Sequence, residues 1–270
     1  MNQSPAPSFR NNVREKLDRD ELVASMIVRL ARGGEIALIA KAAGFDSFYL
    51  DLEHSAMSME TVGQICLTGL AAGIAPLVRV PANTSEWISR VLDIGAAGII
   101  APHIEDADQA RAVVAAAKYP PIGDRSSGGA MPHLEFAPIP ASRAYPALNA
   151  GTLVIVQFES VAALSRCEEI MAVEGVDLAL IGTNDLTADM GIPGQYDNPR
   201  VNDAYAAVIA ASRRAGKHCG IGGLATRPDL MEKFVRMGAR YVSMGTDSAF
   251  LQAACTAAAR QMTDLAATLR

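Results

Sequence analysis

Six side chains in this sequence combine chemical capacity with a telling position, because each lies at or just past the end of a short apolar run. Asp51, Glu53 and His54 close the run at 47–53, Arg79 closes 75–80, Glu159 closes 152–159, and Asp185 follows 177–182. Two carboxylates from nearby chain turns, with water and substrate oxygens completing an octahedron, suit a hard divalent cation such as Mg²⁺ or Mn²⁺, with Co²⁺ a further option. That assigns Glu159 and Asp185 to a metal. The alternatives are a salt bridge for Glu159 and, in Asn184-Asp185-Leu186-Thr187, a helix N-cap for Asp185. The Arg79 guanidinium can hold a carboxylate or enolate oxygen through two parallel hydrogen bonds, or it can pair with Asp51 or Glu53. Asp51, three residues before His54, can fix the imidazole tautomer and raise its basicity, as a general base requires. His103 ends another run and is a weaker candidate. His133 falls in an irregular stretch, and His218 begins a run.

These residues need a scaffold that gathers the ends of separate runs. Apolar, strand-like segments at 23–30, 47–53, 75–80, 98–103, 152–159, 177–182, 218–223 and 241–245 alternate with helix-like segments at 34–43, 57–72, 84–94, 106–118, 161–173, 199–215, 227–237 and 248–269. Strand followed by helix, repeated in this way, predicts a parallel sheet. The unbroken apolar character of the runs fits strands buried on both faces. A single closed (β/α)₈ barrel at 21–270, behind an N-terminal extension at 1–20, is the simplest solution, and such barrels carry their chemistry where the strands end. The competing open, doubly wound sheet carries an early glycine fingerprint that is missing here. Residues 119–150, with six prolines, interrupt the rhythm and read as an active-site loop or lid.

Composition narrows the function. The net charge is -5 and no basic stripe occurs, which argues against nucleic acid. Cys66, Cys167, Cys219 and Cys255 form no CxxC pair, which suits a reducing cytoplasm without disulfides or a zinc ribbon. The first twenty residues hold no apolar leader core, and no run is long enough to span a membrane. Lys16, Lys41, Lys118, Lys217 and Lys233 all fall away from strand ends, so a Schiff-base lysine is not expected. Gly220, Gly222, Gly223 and Gly245 lack the spacing of a phosphate loop.

Five segments taken in order resemble the HpcH/HpaI aldolase family, the class II, metal-dependent pyruvate aldolases. They are FYLDLEHSA from Phe48 to Ala56, VRVP from Val78 to Pro81, YPPIGDR from Tyr119 to Arg125, VQFE from Val156 to Glu159 and IGTNDLTADMG from Ile181 to Gly191, and the likeness runs over about residues 20–260. The resemblance implies a (β/α)₈ barrel in which Glu159 and Asp185 ligate the metal and Arg79 holds the oxygen that becomes the enolate. It makes His54, oriented by Asp51, the base. Gln157 would contact the bound keto acid or its water, and the main chain at Gly182, Thr183 and Asn184 would take the carboxylate of pyruvate. Asp93 matches a residue that the family supplies from a neighbouring subunit, and Arg125 would lie in the loop that selects the aldehyde. The family also implies a homo-oligomer, trimer or hexamer, in which the last helix, 248–269, is exchanged between partners. The chain has Gly182-Thr183-Asn184-Asp185 where many members read Gly-Pro-Ala-Asp, and Arg125-Ser126-Ser127-Gly128 where many read Arg-Gly. Both departures fall where a substrate would be selected and leave the metal pair intact.

The expected chemistry is reversible aldol cleavage of a 4-hydroxy-2-keto acid into pyruvate and an aldehyde through a metal-stabilised enolate. The alternatives are a related enolate-forming lyase acting on an acyl-CoA or a phosphonate, and a non-catalytic barrel that binds a keto acid.

Overall fold

The computed structural model describes residues 7–269, so residues 1–6 of the expected extension and residue 270 lie outside the described residues. Eight parallel strands, β1 (Val23–Val28), β2 (Ser47–Asp51), β3 (Ala75–Arg79), β4 (Gly98–Ala101), β5 (Leu153–Phe158), β6 (Leu178–Gly182), β7 (His218–Gly222) and β8 (Tyr241–Thr246), close into a barrel in sequence order. Helix α1 (Asn12–Leu17) precedes β1. Helices α2 (Glu35–Ala42), α3 (Met59–Ala72), α4 (Ser85–Asp93) and α5 (Ala107–Ala117) follow the first four strands, and α6 (Ala141–Gly151) leads into β5. Then come α7 (Val161–Ser165) and α8 (Cys167–Met171) after β5, α9 (Thr183–Asp189) and α10 (Pro199–Arg214) after β6, α11 (Pro228–Met237) after β7 and α12 (Asp247–Ala267) after β8. The expected (β/α)₈ barrel is therefore the fold. Among the described residues, no helix is long and apolar enough to cross a membrane.

Alternation along each strand divides the core in two. Phe48, Leu50, Val78, Ile99, Val156 and Ile181 point outward and pack under the helices. Tyr49, Leu77, Ile100, Ile155, Leu180 and Tyr241 point into the barrel and fill it. Most strands end one or two residues before the apolar runs do, and just past β2 and β1 the main chain bonds to carboxylates. Asp51 Oδ1 accepts the main-chain N–H groups of Glu53 and His54 at 3.2 and 3.3 Å. Asp247 does the same after β1: its carboxylate accepts from Arg29, Leu30 and Ala31, which ties the seam between β8 and β1 to the start of α12.

The other end of the barrel is closed by α1. Val13 and Leu17 enter the interior cluster, and Asn11 Nδ2 donates to the carbonyls of Ala97 and Gly151. Residues 119–150 lie at this same end, which corrects the expectation of a lid over the barrel's own site. A segment joining a helix to the next strand must emerge where the strands begin. His133 Nε2 lies 2.8 Å from the Ala96 carbonyl just ahead of β4, Tyr119 stacks on Tyr145 at 4.2 Å, and Met131 and Leu134 join the interior cluster with Phe9. The stretch is ordered by α6 and a 3₁₀ turn at Pro132–Leu134, because Asn149 bonds to the main chain of Tyr119 in both directions.

Candidate active site

At the carboxyl ends of the strands a cavity of about 500 Å³ opens, with Arg29, His54, Arg79, Gln157, Gly182, Thr183, Asn184 and Asp185 among its lining residues. Its framework is an ion-pair system anchored on β2 and β3. Asp51 and Arg79 are register partners. Arg79 Nε and Nη2 donate to the two Asp51 oxygens at 2.9 and 2.6 Å, and Nη1 lies 2.8 Å from Glu53. Arg29, the first residue past β1, adds Nε to Asp51 Oδ2 at 2.6 Å. Asp51 is fully buried. Burial alone would raise its pKa, yet Arg79 and then Arg29 hold it below the ordinary carboxylate range.

On the opposite side, Glu159 follows β5 and is almost wholly buried. Gln157, two residues earlier and so on the same face of the strand, donates Nε2 to its Oε1 at 2.6 Å, and the main-chain N–H of His103 donates to Oε2 at 3.0 Å. His103 stands in the left-handed region at φ 54, which turns that N–H toward Glu159. Its ring bridges the two halves of the site, with Nε2 at 2.7 Å from Glu53 and Nδ1 at 3.2 Å from Glu159. Burial, reinforced by the negative charge of Glu53 and Asp185, pushes the Glu159 pKa up against the pull of His103. Asp185, in the first turn of α9, reaches the cavity from β6.

Two observations test this corner for a cation. Glu53, Glu159 and Asp185 place their charges close enough for the first and last to raise the pKa of Glu159, and the buried Gln157 Oε1 lacks a hydrogen-bond partner. Glu159 and Asp185 beside the unpaired Gln157 Oε1 are oxygen donors of the kind a hard cation takes, although no three acid, histidine or cysteine side chains are gathered into a ready-made metal cluster among the described residues. Glycine at 182 is required by the same packing, since a Cβ there would lie 2.6 Å from Glu159 Oε1 and 2.8 Å from Gln157 Nε2.

The structure thus brings together Asp51, Arg79, His54, Gln157, Glu159, Asp185, Gly182, Thr183 and Asn184. Two relationships differ from expectation. The Asp51 carboxylate does not orient the His54 ring, because Arg79 and Arg29 occupy it and His54 meets it only through its main-chain N–H. The His54 side chain is 51% exposed, with Nε2 at 3.9 Å from Glu53. Arg125 does not line this mouth, and neither does Asp93, which the resemblance assigns to a neighbouring subunit's site. Asp93 ends α4, and Arg125 Nη2 donates to it at 2.6 Å at the far end of the same barrel. Glu53, which the sequence offered as a possible partner of Arg79, His103, offered as a weaker candidate, and Arg29, not singled out, are all woven into the site. The signal for Glu53 was its alternation with Asp51 beyond one strand end, and the signal for His103 was its place after β4. Arg29 gave none, because it looked like the continuation of an apolar run.

A parallel barrel with acids, arginines and histidines collected at its strand ends, around a polar cavity, defines a (β/α)₈-barrel enzyme. The chain belongs to the HpcH/HpaI aldolase/citrate lyase family, whose pattern matches residues 30–254. It is accordingly a carbon–carbon lyase of the aldolase type. It is 37% identical to a 4-hydroxy-4-methyl-2-oxoglutarate aldolase of Chaetomium globosum, over 89% of this chain and 91% of that one. It is 34% identical to a 4-hydroxy-2-oxovalerate aldolase of Rhodococcus jostii, over 98% and 99%. Among solved structures, an HpcH/HpaI aldolase from Desulfitobacterium hafniense superposes with a TM-score of 0.88 at 31% identity, covering 94% of this chain and 97% of that one.

Proposed function

We propose that the enzyme cleaves a 4-hydroxy-2-oxo acid between C3 and C4, releasing pyruvate and a carbonyl compound, and also runs the reverse addition. What supports this reading is the convergence at one barrel mouth of the Arg79–Asp51 pair, Glu53 and buried Glu159, joined through the His103 ring, with Asp185 lining the same cavity. Glu159 and Asp185 would hold Mg²⁺ or Mn²⁺, and the cation supplies Lewis acidity toward the 2-oxo acid.

The remaining steps belong to the chain. The main chain at Gly182, Thr183 and Asn184 receives the substrate carboxylate. Thr183 is fixed for this by bonds of 2.6 Å to the Gly222 carbonyl and 2.7 Å to the Tyr205 hydroxyl. His54, exposed to the cavity, takes the proton of the 4-hydroxyl. The C4–O electrons form the new carbonyl, the C3–C4 bond breaks, and its pair moves toward C2, where Arg79 opposes the charge that develops on the C2 oxygen. Protonation at C3 then completes pyruvate.

A second copy of the chain completes this reading. An eighth barrel helix normally packs over the β8–β1 seam, but α12 is exposed beyond its first residue and leaves an apolar groove there, lined by Met26, Leu30, Ile36, Ile39, Phe45 and Phe250. Along α12, Leu251, Cys255, Ala258, Met262 and Leu265 recur at alternating spacings of four and three, a seam made for another helical surface. The partner's copy of α12 fills that groove in a cytoplasmic homo-oligomer, and the Asp93–Arg125 pair serves the mouth of a neighbouring subunit.

The test is proton exchange. In deuterium oxide with Mg²⁺ or Mn²⁺, the protein should exchange the methyl protons of pyruvate, seen by NMR, and a chelator should stop it. Exchange that persists without metal, or fails with it, removes the proposal.

A further inference from the structure

Arg29 has a capacity that the cleavage step leaves unused. Its Nε is committed to Asp51 Oδ2 at 2.6 Å. Its two Nη groups have no hydrogen-bond partner among the described residues, although the side chain is only 35% exposed and lines the cavity. Arg79, the other lining guanidinium, has Nε and Nη2 bonded to Asp51 and Nη1 2.8 Å from Glu53, and its remaining charge serves the C2 oxygen. Arg29 therefore presents the one pair of uncommitted guanidinium donors among the lining residues. A guanidinium whose Nε is tied to a fully buried carboxylate cannot swing freely, so its free edge is aimed in advance.

The order of groups around the mouth says what that edge would meet. The 2-oxo acid end of the substrate is assigned to β5 and β6, the charge on C2 to Arg79 after β3, and the C4 hydroxyl to His54 after β2. Whatever C4 carries next is directed on toward β1, where Arg29 begins. Resting on the aldolase reading, we infer that Arg29 selects substrates whose C4 bears a second carboxylate, so that the acceptor in the synthetic direction is itself an oxo acid. The free edge of one guanidinium matches one carboxylate through two parallel N–H···O bonds. A neutral alkyl group would leave those donors unpaired.

The test uses two unreactive 2-oxo acids of equal carbon number. 2-Oxoglutarate carries the second carboxylate, and 2-oxopentanoate carries a methyl group in its place. Calorimetry in the presence of Mg²⁺ should show the unsubstituted protein binding 2-oxoglutarate at least about tenfold more tightly, the scale of one charge-assisted contact. Arg29→Gln should bring the ratio close to one by weakening 2-oxoglutarate alone, and Arg29→Lys should keep part of the preference. Equal affinities in the unsubstituted protein overturn the inference. So does an Arg29→Gln variant that weakens both ligands alike, since that is what a residue serving only to hold Asp51 would do. Failure of pyruvate exchange in the unsubstituted protein is a separate outcome that strikes the aldolase reading itself.

Discussion

Asp51 and Arg79, register partners at the ends of β2 and β3, meet as a two-pronged ion pair with bonds of 2.6 and 2.9 Å, out of contact with water on the carboxylate side. This pair fixes the guanidinium plane before any substrate arrives. Removing the charge with Asp51→Asn leaves Arg79 and Arg29 facing each other across a neutral amide. Breaking a buried pair in this way costs about 3–5 kcal/mol. Urea unfolding should show a loss of that size, and a loss below about 1 kcal/mol would mean that the pair is dispensable. The sign with pH follows from the lowered Asp51 pKa. Its contribution is present at neutral pH and is lost as pH falls through the folded-state value, so Asp51→Asn should be less sensitive to acid than the parent over that range.

His54→Ala tests the assigned base. Loss of a positioned base slows proton transfer by about 10²–10⁴-fold. Cleavage of a 4-hydroxy-2-oxo acid, followed by the appearance of pyruvate, should fall by that factor in kcat. An unchanged rate would pass the role to the neighbouring His103, which already bridges Glu53 and Glu159.

Gly182→Ala should damage cation binding while leaving the barrel intact. The new Cβ would press on Glu159 Oε1 and Cγ and on Gln157 Nε2, all within 2.8 Å, so both side chains must leave the positions they hold here. Displaced ligands and their supporting groups typically cost 10–100-fold in metal affinity. Mn²⁺ titration should show about that loss with an unchanged far-ultraviolet circular dichroism spectrum, and undiminished affinity would separate Glu159 from the cation.

The barrel was legible in the sequence because burial on both faces writes each strand as an apolar run, and the order of those runs leaves little choice of topology. The placement of Glu159, Asp185 and Arg79 followed from the rule that strand ends carry the chemistry. What stayed hidden was set by side chains reaching across the barrel. Asp51 could pair with His54 or with Arg79 on local spacing alone, and only the register of β2 against β3 decides for Arg79. The proline-rich stretch invited a lid, but its position between α5 and β5 assigns it to the far end, a constraint of direction that composition does not express. Helix α9 was missed because Thr183–Asp189 is short and starts inside the motif that carries Asp185.

His133 makes that far end sensitive to acid. Burial, with a smaller push from Arg125, lowers its pKa from 6.5 to about 4 despite the bond to the Ala96 carbonyl. A depressed histidine is neutral in the fold but binds a proton when unfolded, so stability is full above pH 6.5 and declines as pH falls toward 4. The loss is on the order of 3 kcal/mol. His133→Gln lacks this titration. Its unfolding free energy relative to the parent should therefore improve by about that amount between pH 7 and pH 4, and a constant difference would show that His133 titrates normally.

The exposed face of α12 gives the last prediction. Ile39 is 59% exposed and Leu251 54% exposed, and both line the groove over the β8–β1 seam. Apolar side chains gathered in this way on an otherwise polar surface are costly unless covered. If the partner's α12 is the cover, Ile39→Asp introduces a charge into a dry interface but into open water in the isolated subunit. The variant should then keep its circular dichroism spectrum while light scattering shows it falling to a smaller assembly. Leu251→Asp should act alike from the other side of the contact. Two variants that scatter with the mass of the parent would show that the groove faces solvent in the working enzyme, and the Asp93–Arg125 pair would then have to reach a neighbouring mouth through some other contact.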